Sequence, residues 1–231
     1  MYLMKPLHMH FDFGFGSTAD QFKESADLLS KTAVVKDLVM PLNYLRRHAV
    51  ELYLKSLIYI LHRKYDIPFS DQGDLENPLI NVRGKNKLLT NLHDVGVLFS
   101  YFIELHNSML SKFPDRTDWS IGEDIRIKVN SISGIDSKST FFRYPKTDDR
   151  RQDVRKSKVK EVAWEDMQER MNVPSDRKVK AMLLFDNNDN LIQSFDIDSD
   201  VMPELQETLN SLCEFFYCLH AAYRYEICKG E

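Results

Sequence analysis

The chain has 231 residues (27.1 kDa), 43% of them hydrophobic and 29% charged, which is enough apolar material to bury a core and excludes a wholly disordered polymer. Lys and Arg number 31 against 35 Asp and Glu, so the formal charge of -4 excludes a uniformly basic nucleic-acid binder while leaving room for a local basic patch. With eight Gly and eight Pro against 14 Phe and 10 Tyr, the composition favours a mainly α fold packed through aromatic rings over a turn-rich β-sandwich.

No apolar run reaches the roughly 20 residues of a membrane-spanning helix, and the longest, Leu52 to Leu61, is interrupted by Lys55. The opening MYLMKPLHMHFDFGFG does not read as a secretory signal. Cys213, Cys218 and Cys228 form no CxxC pair and leave one thiol over in any pairing. A soluble, cytoplasmic protein without contact to a membrane is expected.

In chain order, Leu7, Met9, Phe11, Phe13 and Phe15 alternate with polar or small residues, which predicts an opening strand within residues 1–16. Ser17 and Asp20 resemble a capping box for a first helix near 18–31. After Pro41, Leu42, Leu45, Ala49, Leu52, Ser56 and Tyr59 form one stripe with further leucines beside it, so the helix 41–64 should be central. Asp66 to Gly84 has loop chemistry. Apolar residues at spacings of three and four then predict helices near 87–112, 120–133 (broken near Gly134) and 200–228.

Between the third and last core helices the composition changes. Residues 143–160 hold eight Lys or Arg against three Asp, and residues 161–207 hold twelve acids against four Lys or Arg. Within the acidic stretch, Val179 to Phe185 and Leu191 to Ile197 flank the turn Asp186 to Asn190 and predict a β-hairpin. The economical organisation is one helical domain spanning 1–231, with the opening strand and a 160–199 hairpin insertion joined in a small antiparallel β appendage.

Two motifs resemble ion sites and are better explained otherwise. His8, His10 and Asp12 have donors suited to a transition metal, but a half-exposed strand gives the same alternation by default. Asp196, Asp198, Asp200 and Glu207 copy calcium-loop spacing, yet Val201 replaces the required glycine, so Asp198, Ser199 or Asp200 is expected to cap the last helix. No metal and no cofactor are assigned.

Arg47, Glu51 and Lys55 follow at spacings of four on the central helix, with His48 three residues before Glu51, so a group that titrates near neutrality shares the face with a carboxylate between two cations. An ordinary ion-pair ladder gives the same spacing. The cations of 143–160, among them Arg150, Arg151 and Arg155, can neutralise phosphates, and Phe142, Arg143 and Tyr144 can stack on bases; a solvated loop beside an acidic segment accounts for the charges equally well.

Three segments taken in order, LRRHAVELYLK at 45–55, LHDVGVL at 92–98, and Ile135-Asp136-Ser137 with STFFRYP at 139–145, resemble the HEPN (higher-eukaryote and prokaryote nucleotide-binding) superfamily. The resemblance covers residues 42–145 and, loosely, the last helix. It implies an antiparallel bundle of four or five helices, often dimeric, found in metal-independent endoribonucleases of toxin–antitoxin, stress or phage-defence systems and in non-catalytic binding modules. Catalytic members carry an Arg, four to six intervening residues and a His; here none of the seven His has that Arg, and Lys87 before His93, Lys55 before His62 and Lys5 before His10 are the nearest substitutes. Lys supplies charge without the planar fork of Arg.

The expectation is thus an RNA-binding bundle with His48, His93, Glu51 and Lys55 as catalytic candidates and Arg47, Arg143, Tyr144, Arg150, Arg151 and Arg155 as RNA contacts. Its alternative is an assembly module of a defence or toxin complex that pairs with itself or with a partner protein. The spacing further predicts that Arg47, Lys55 or Arg143 holds Glu51, with His93 in the same pocket.

Overall fold

A computed structural model describes residues 5–32, 35–70, 73–172, 180–197 and 201–230. The described residues are mostly helical, with two small antiparallel sheets. Helix α2 (Val39–Lys64) carries apolar residues around almost its whole circumference, and it is buried accordingly: α1 (Phe15–Ser30), α3 (Val95–Met109) and α7 (Pro203–Ala222) all pack on it. Helix α4 (Glu123–Asp136) closes the core against α3 and α7. No helix among the described residues is long and apolar enough to cross a membrane.

Among the described residues 5–16, the expected opening strand is not formed. Residues 7–9 make one 3-10 turn, Phe13 and Gly14 take left-handed conformations, and the chain folds back on itself. Arg63 accounts for the aromatic alternation: its guanidinium lies over the rings of Phe11 and Phe13 and donates to the carbonyls of His10 (3.1 Å) and Phe11 (2.6 Å). A compact turn around a cation has replaced a strand in a sheet.

Asp12, rather than the Ser17–Asp20 pair, starts α1. Its buried carboxylate accepts from the amides of Gly14 (3.1 Å) and Gly16 (2.7 Å) and from Ser56 Oγ (2.5 Å). At Gly16 a side chain is excluded, because a Cβ there would stand 2.1 Å from the His220 ring. Asp12 and His10 are therefore occupied within the fold, His10 donating to the carbonyl of Lys5 at 2.9 Å.

The segment expected to be a loop up to Gly84 ends in a hairpin, β1 (Leu79–Val82) and β2 (Lys85–Leu88), joined by Arg83-Gly84 with both residues at positive φ. Helix α3 accordingly begins at Val95 and not near 87; Asp94 caps it, accepting from Gly96 N (2.9 Å), Val97 N (3.4 Å) and Ser133 Oγ (2.6 Å). Helix α4 runs through Gly134 without a break.

The predicted hairpin is present as β4 (Ala181–Phe185) and β5 (Leu191–Ile197), but its third strand is β3 (Val159–Glu161) from the end of the basic segment, giving the order β3-β5-β4. A short helix, α5 (Arg150–Val154), stands where the basic loop was expected, and α6 (Trp164–Asn172), on the other side of β3, lies within the segment expected as the hairpin insertion. Asp198, Ser199 and Asp200 lie outside the described residues; the cap position of α7 is Met202.

Candidate functional site

The face of α2 that carries Arg47, Glu51 and Lys55 points into the protein. Arg47 is 0%, Glu51 1% and Lys55 2% exposed. Two cations and two carboxylates balance there: Arg47 donates through Nη1 to Glu51 and pairs through Nε with Asp136 Oδ2 at 3.1 Å, and Lys55 Nζ donates to Glu51 Oε1 at 2.9 Å. Two further donations go to backbone carbonyls, from Arg47 Nη2 to His93 and from Lys55 Nζ to Thr90 (2.9 Å). A buried charge set of this kind is tolerated only when its members are paired and hydrogen-bonded, and here they are.

His93 is the member that reaches solvent. Its side chain is 46% exposed, and Nδ1 lies 3.0 Å from Glu51 Oε1. A carboxylate only accepts, so Nδ1 carries the hydrogen of this bond, which leaves Nε2 as the nitrogen directed away from Glu51. Burial pushes Glu51 toward the neutral acid, but Lys55, Arg47 and the hydrogen bonds from Lys55 and His93 overcome it and hold the carboxyl below its ordinary value. Burial also lowers Lys55, against the pull of Glu51, and raises Asp136, whose carboxylate accepts from Phe141 N at 2.8 Å.

His93 lines an open cleft of about 590 Å³ together with Arg83, Lys85, Lys87 and Lys138. The first three of these have no ion-pair partner among the described residues, whereas Lys138 meets Asp148 at 2.8 Å. The hairpin β1–β2 thus projects three cations beside an imidazole oriented by a buried carboxylate. Sequence reasoning missed Arg83 and Lys85 and treated Lys87 as helical; the legible signal was the two-residue Arg83-Gly84 turn between Val82 and Lys85.

Arg143 and Tyr144 are exposed and border a second cleft, of about 870 Å³, with Met40, Pro41, Tyr44 and Phe142. Arg143 donates to the carbonyl of Ser139 and makes no hydrogen bond to Glu51. Of the predicted holders, Arg47 and Lys55 grip Glu51, and His93 shares that pocket. The two clefts lie at opposite ends of one segment, since Ser137 and Lys138 line the first and Phe142 to Pro145 the second.

His48 is not in the dyad: it packs edge-on to Phe22 (4.5 Å) and stacks on Tyr44 (5.7 Å), and burial pulls its imidazole below the ordinary value. Arg150, Arg151 and Arg155 are exposed on or next to α5, with Arg155 bonded to Gln152 at 2.8 Å. Arg47, wholly buried, holds Glu51 and Asp136 together instead of meeting a ligand. Compared with known proteins, the chain matches no family model, no curated protein and no solved structure.

Proposed function

We propose that the protein is a HEPN-like RNA-binding protein of a bacterial stress or phage-defence system that cuts RNA without a metal. The observation that carries this reading is the Glu51–His93 dyad opening among Arg83, Lys85 and Lys87. His93 Nε2 takes the proton of a 2′-hydroxyl while Glu51 holds the imidazole and stabilises its charged form. The 2′-oxygen then attacks phosphorus as the P–O5′ bond breaks, leaving a 2′,3′-cyclic phosphate, and the departing 5′-oxygen takes a proton from water or from the imidazolium formed at His93. The hairpin cations neutralise the phosphodiester in the role that the missing Arg fills elsewhere, and Arg143, Tyr144, Arg150, Arg151 and Arg155 extend the track.

The test is incubation of the purified protein with total RNA in a chelator at low salt. Cleavage is expected, and His93→Ala should reduce it by about 100-fold or more while leaving binding in place. Lys85→Glu with Lys87→Glu should weaken binding and its salt dependence. If RNA is neither bound nor cut, and reversing Arg150, Arg151 and Arg155 changes nothing, the reading fails.

A second reading, a non-catalytic module assembling a defence or toxin–antitoxin complex, is favoured by one specific observation: Arg47 and Lys55 are buried and engaged with Glu51, Asp136 and backbone carbonyls inside the fold. Co-purification of a fixed partner, with His93→Ala neutral for RNA, would select it.

A further inference from the structure

The two edges of the sheet β3-β5-β4 differ. Strand β3 is three residues long and carries Lys160 and Glu161, the protection that an exposed edge normally has. Strand β4 reads Ala-Met-Leu-Leu-Phe, without a charge or proline, and no described strand pairs with its outer side. Met182 is 40%, Leu184 41% and Phe185 54% exposed. The irregularity in the hairpin adds its extra residue to β5, at Ile192, so β4 itself runs regularly along its whole length.

The direction of the edge's backbone groups follows from the hydrogen bonds at the two ends of the strand. Lys180 O accepts from Ile197 N (2.8 Å) and Asp186 N donates to Asn190 O (2.9 Å), so both residues turn inward to β5. Alternation along an antiparallel strand then turns Ala181, Leu183 and Phe185 outward, leaving three N–H and three C=O groups in a row on the edge.

We propose that β4 pairs with β4 of a second copy of this chain, antiparallel about a two-fold axis at Leu183, joining two three-stranded sheets into one of six strands. The register is dictated by the outward groups, and Leu183 at its centre is one of them. It sets Met182 opposite Leu184 and Ala181 opposite Phe185. It also brings the flanking Lys180 of each copy opposite Asp186 of the other, so both ends of an otherwise apolar strand meet an opposite charge. A strand that is charge-complementary to itself selects a second copy over other occupants. This inference stands on the strand alone and does not depend on the RNA reading.

Sedimentation of the full chain tests it. The wild type should be dimeric. Met182→Lys with Leu184→Lys, or Met182→Glu with Leu184→Glu, should each weaken the dimer by about tenfold or more, because like charges then face each other. An equimolar mixture of the two variants should recover the dimer, since every new Lys faces a new Glu. A wild type that stays monomeric up to its solubility limit overturns the proposal, as does a like-charged variant that remains dimeric or a folded mixture that remains monomeric. Should the variants lose their circular dichroism, Leu183→Cys in a Cys218→Ser background decides. Paired Leu183 Cα atoms about 5.5 Å apart fall within disulfide reach, so oxidation must join two copies there and not through Ile127→Cys on α4.

Discussion

Glu51 touches two cations and an imidazole at 1% exposure, so removing it leaves Arg47 and Lys55 charged in the interior with one partner fewer. Breaking a buried pair from one side costs several kcal/mol, far more than the pair contributes against an apolar replacement. Glu51→Ala should therefore lower unfolding free energy by about 3–5 kcal/mol in urea titrations. The same change at Glu123, whose contact with Arg126 (3.2 Å) is solvent-exposed, should cost under about 1 kcal/mol. Equal losses at both positions would mean that the buried network contributes nothing special.

At the scale of elements, the hairpin β1–β2 places an Arg where Asn is favoured. Arg83 has φ 52° and Gly84 φ 77°, the backbone of a two-residue turn in which only Gly and short polar side chains are unstrained. Strain at a residue that points into a cleft is a common mark of a working position. Arg83→Asn should raise stability by roughly 0.5–1 kcal/mol while weakening RNA binding several-fold; thermal melts and filter binding on the same samples read both.

The elements that the sequence made legible are those whose periodicity matches their burial. Helices α2, α4 and α7, and the hairpin around Asp186, carry one continuous apolar pattern each. The failures have local causes: Leu88 and Leu92 fall in phase with α3 by coincidence, hiding β2, and the aromatic part of the 7–15 alternation comes from Phe11 and Phe13 gathered at Arg63 and Phe13 and Phe15 packed on Tyr59. In the site, the spacing of Arg47, Glu51 and Lys55 was visible from the sequence, and so was the link to His93. What no spacing could reveal was that the ladder faces inward, or that the solvent side would be furnished by a hairpin.

For the whole molecule, acid is expected to act first through buried imidazoles. His106 accepts from Tyr223 Oη at 2.5 Å and donates to the Trp119 carbonyl at 2.8 Å, and His62 donates to the Ile67 carbonyl and accepts from Tyr101. Burial lowers both below the ordinary 6.5. With the folded value below the unfolded one, the unfolded chain binds more protons, so stability is full above about pH 6.5 and falls as the pH drops below it. Glu51 adds a second loss further down, where protonation passes its ordinary value of 4.5, while Asp136, raised from 3.8, works in the opposite direction. Urea midpoints across this range should fall on acidification, and His106→Gln, which can keep both hydrogen bonds, should flatten the first part of the curve. An unchanged slope would assign that loss elsewhere.

The central position of α2 also governs the order in which the protein can be made. Its partners α1 and α3 are synthesised beside it, but α7 is the last made of the helices that cover it. Until then a nascent chain holds α2 with one flank uncovered, and the side chains that will meet Leu205, Leu209, Leu212 and Phe216 remain open to other chains. Translation pauses before residue 203 therefore prolong a sticky intermediate.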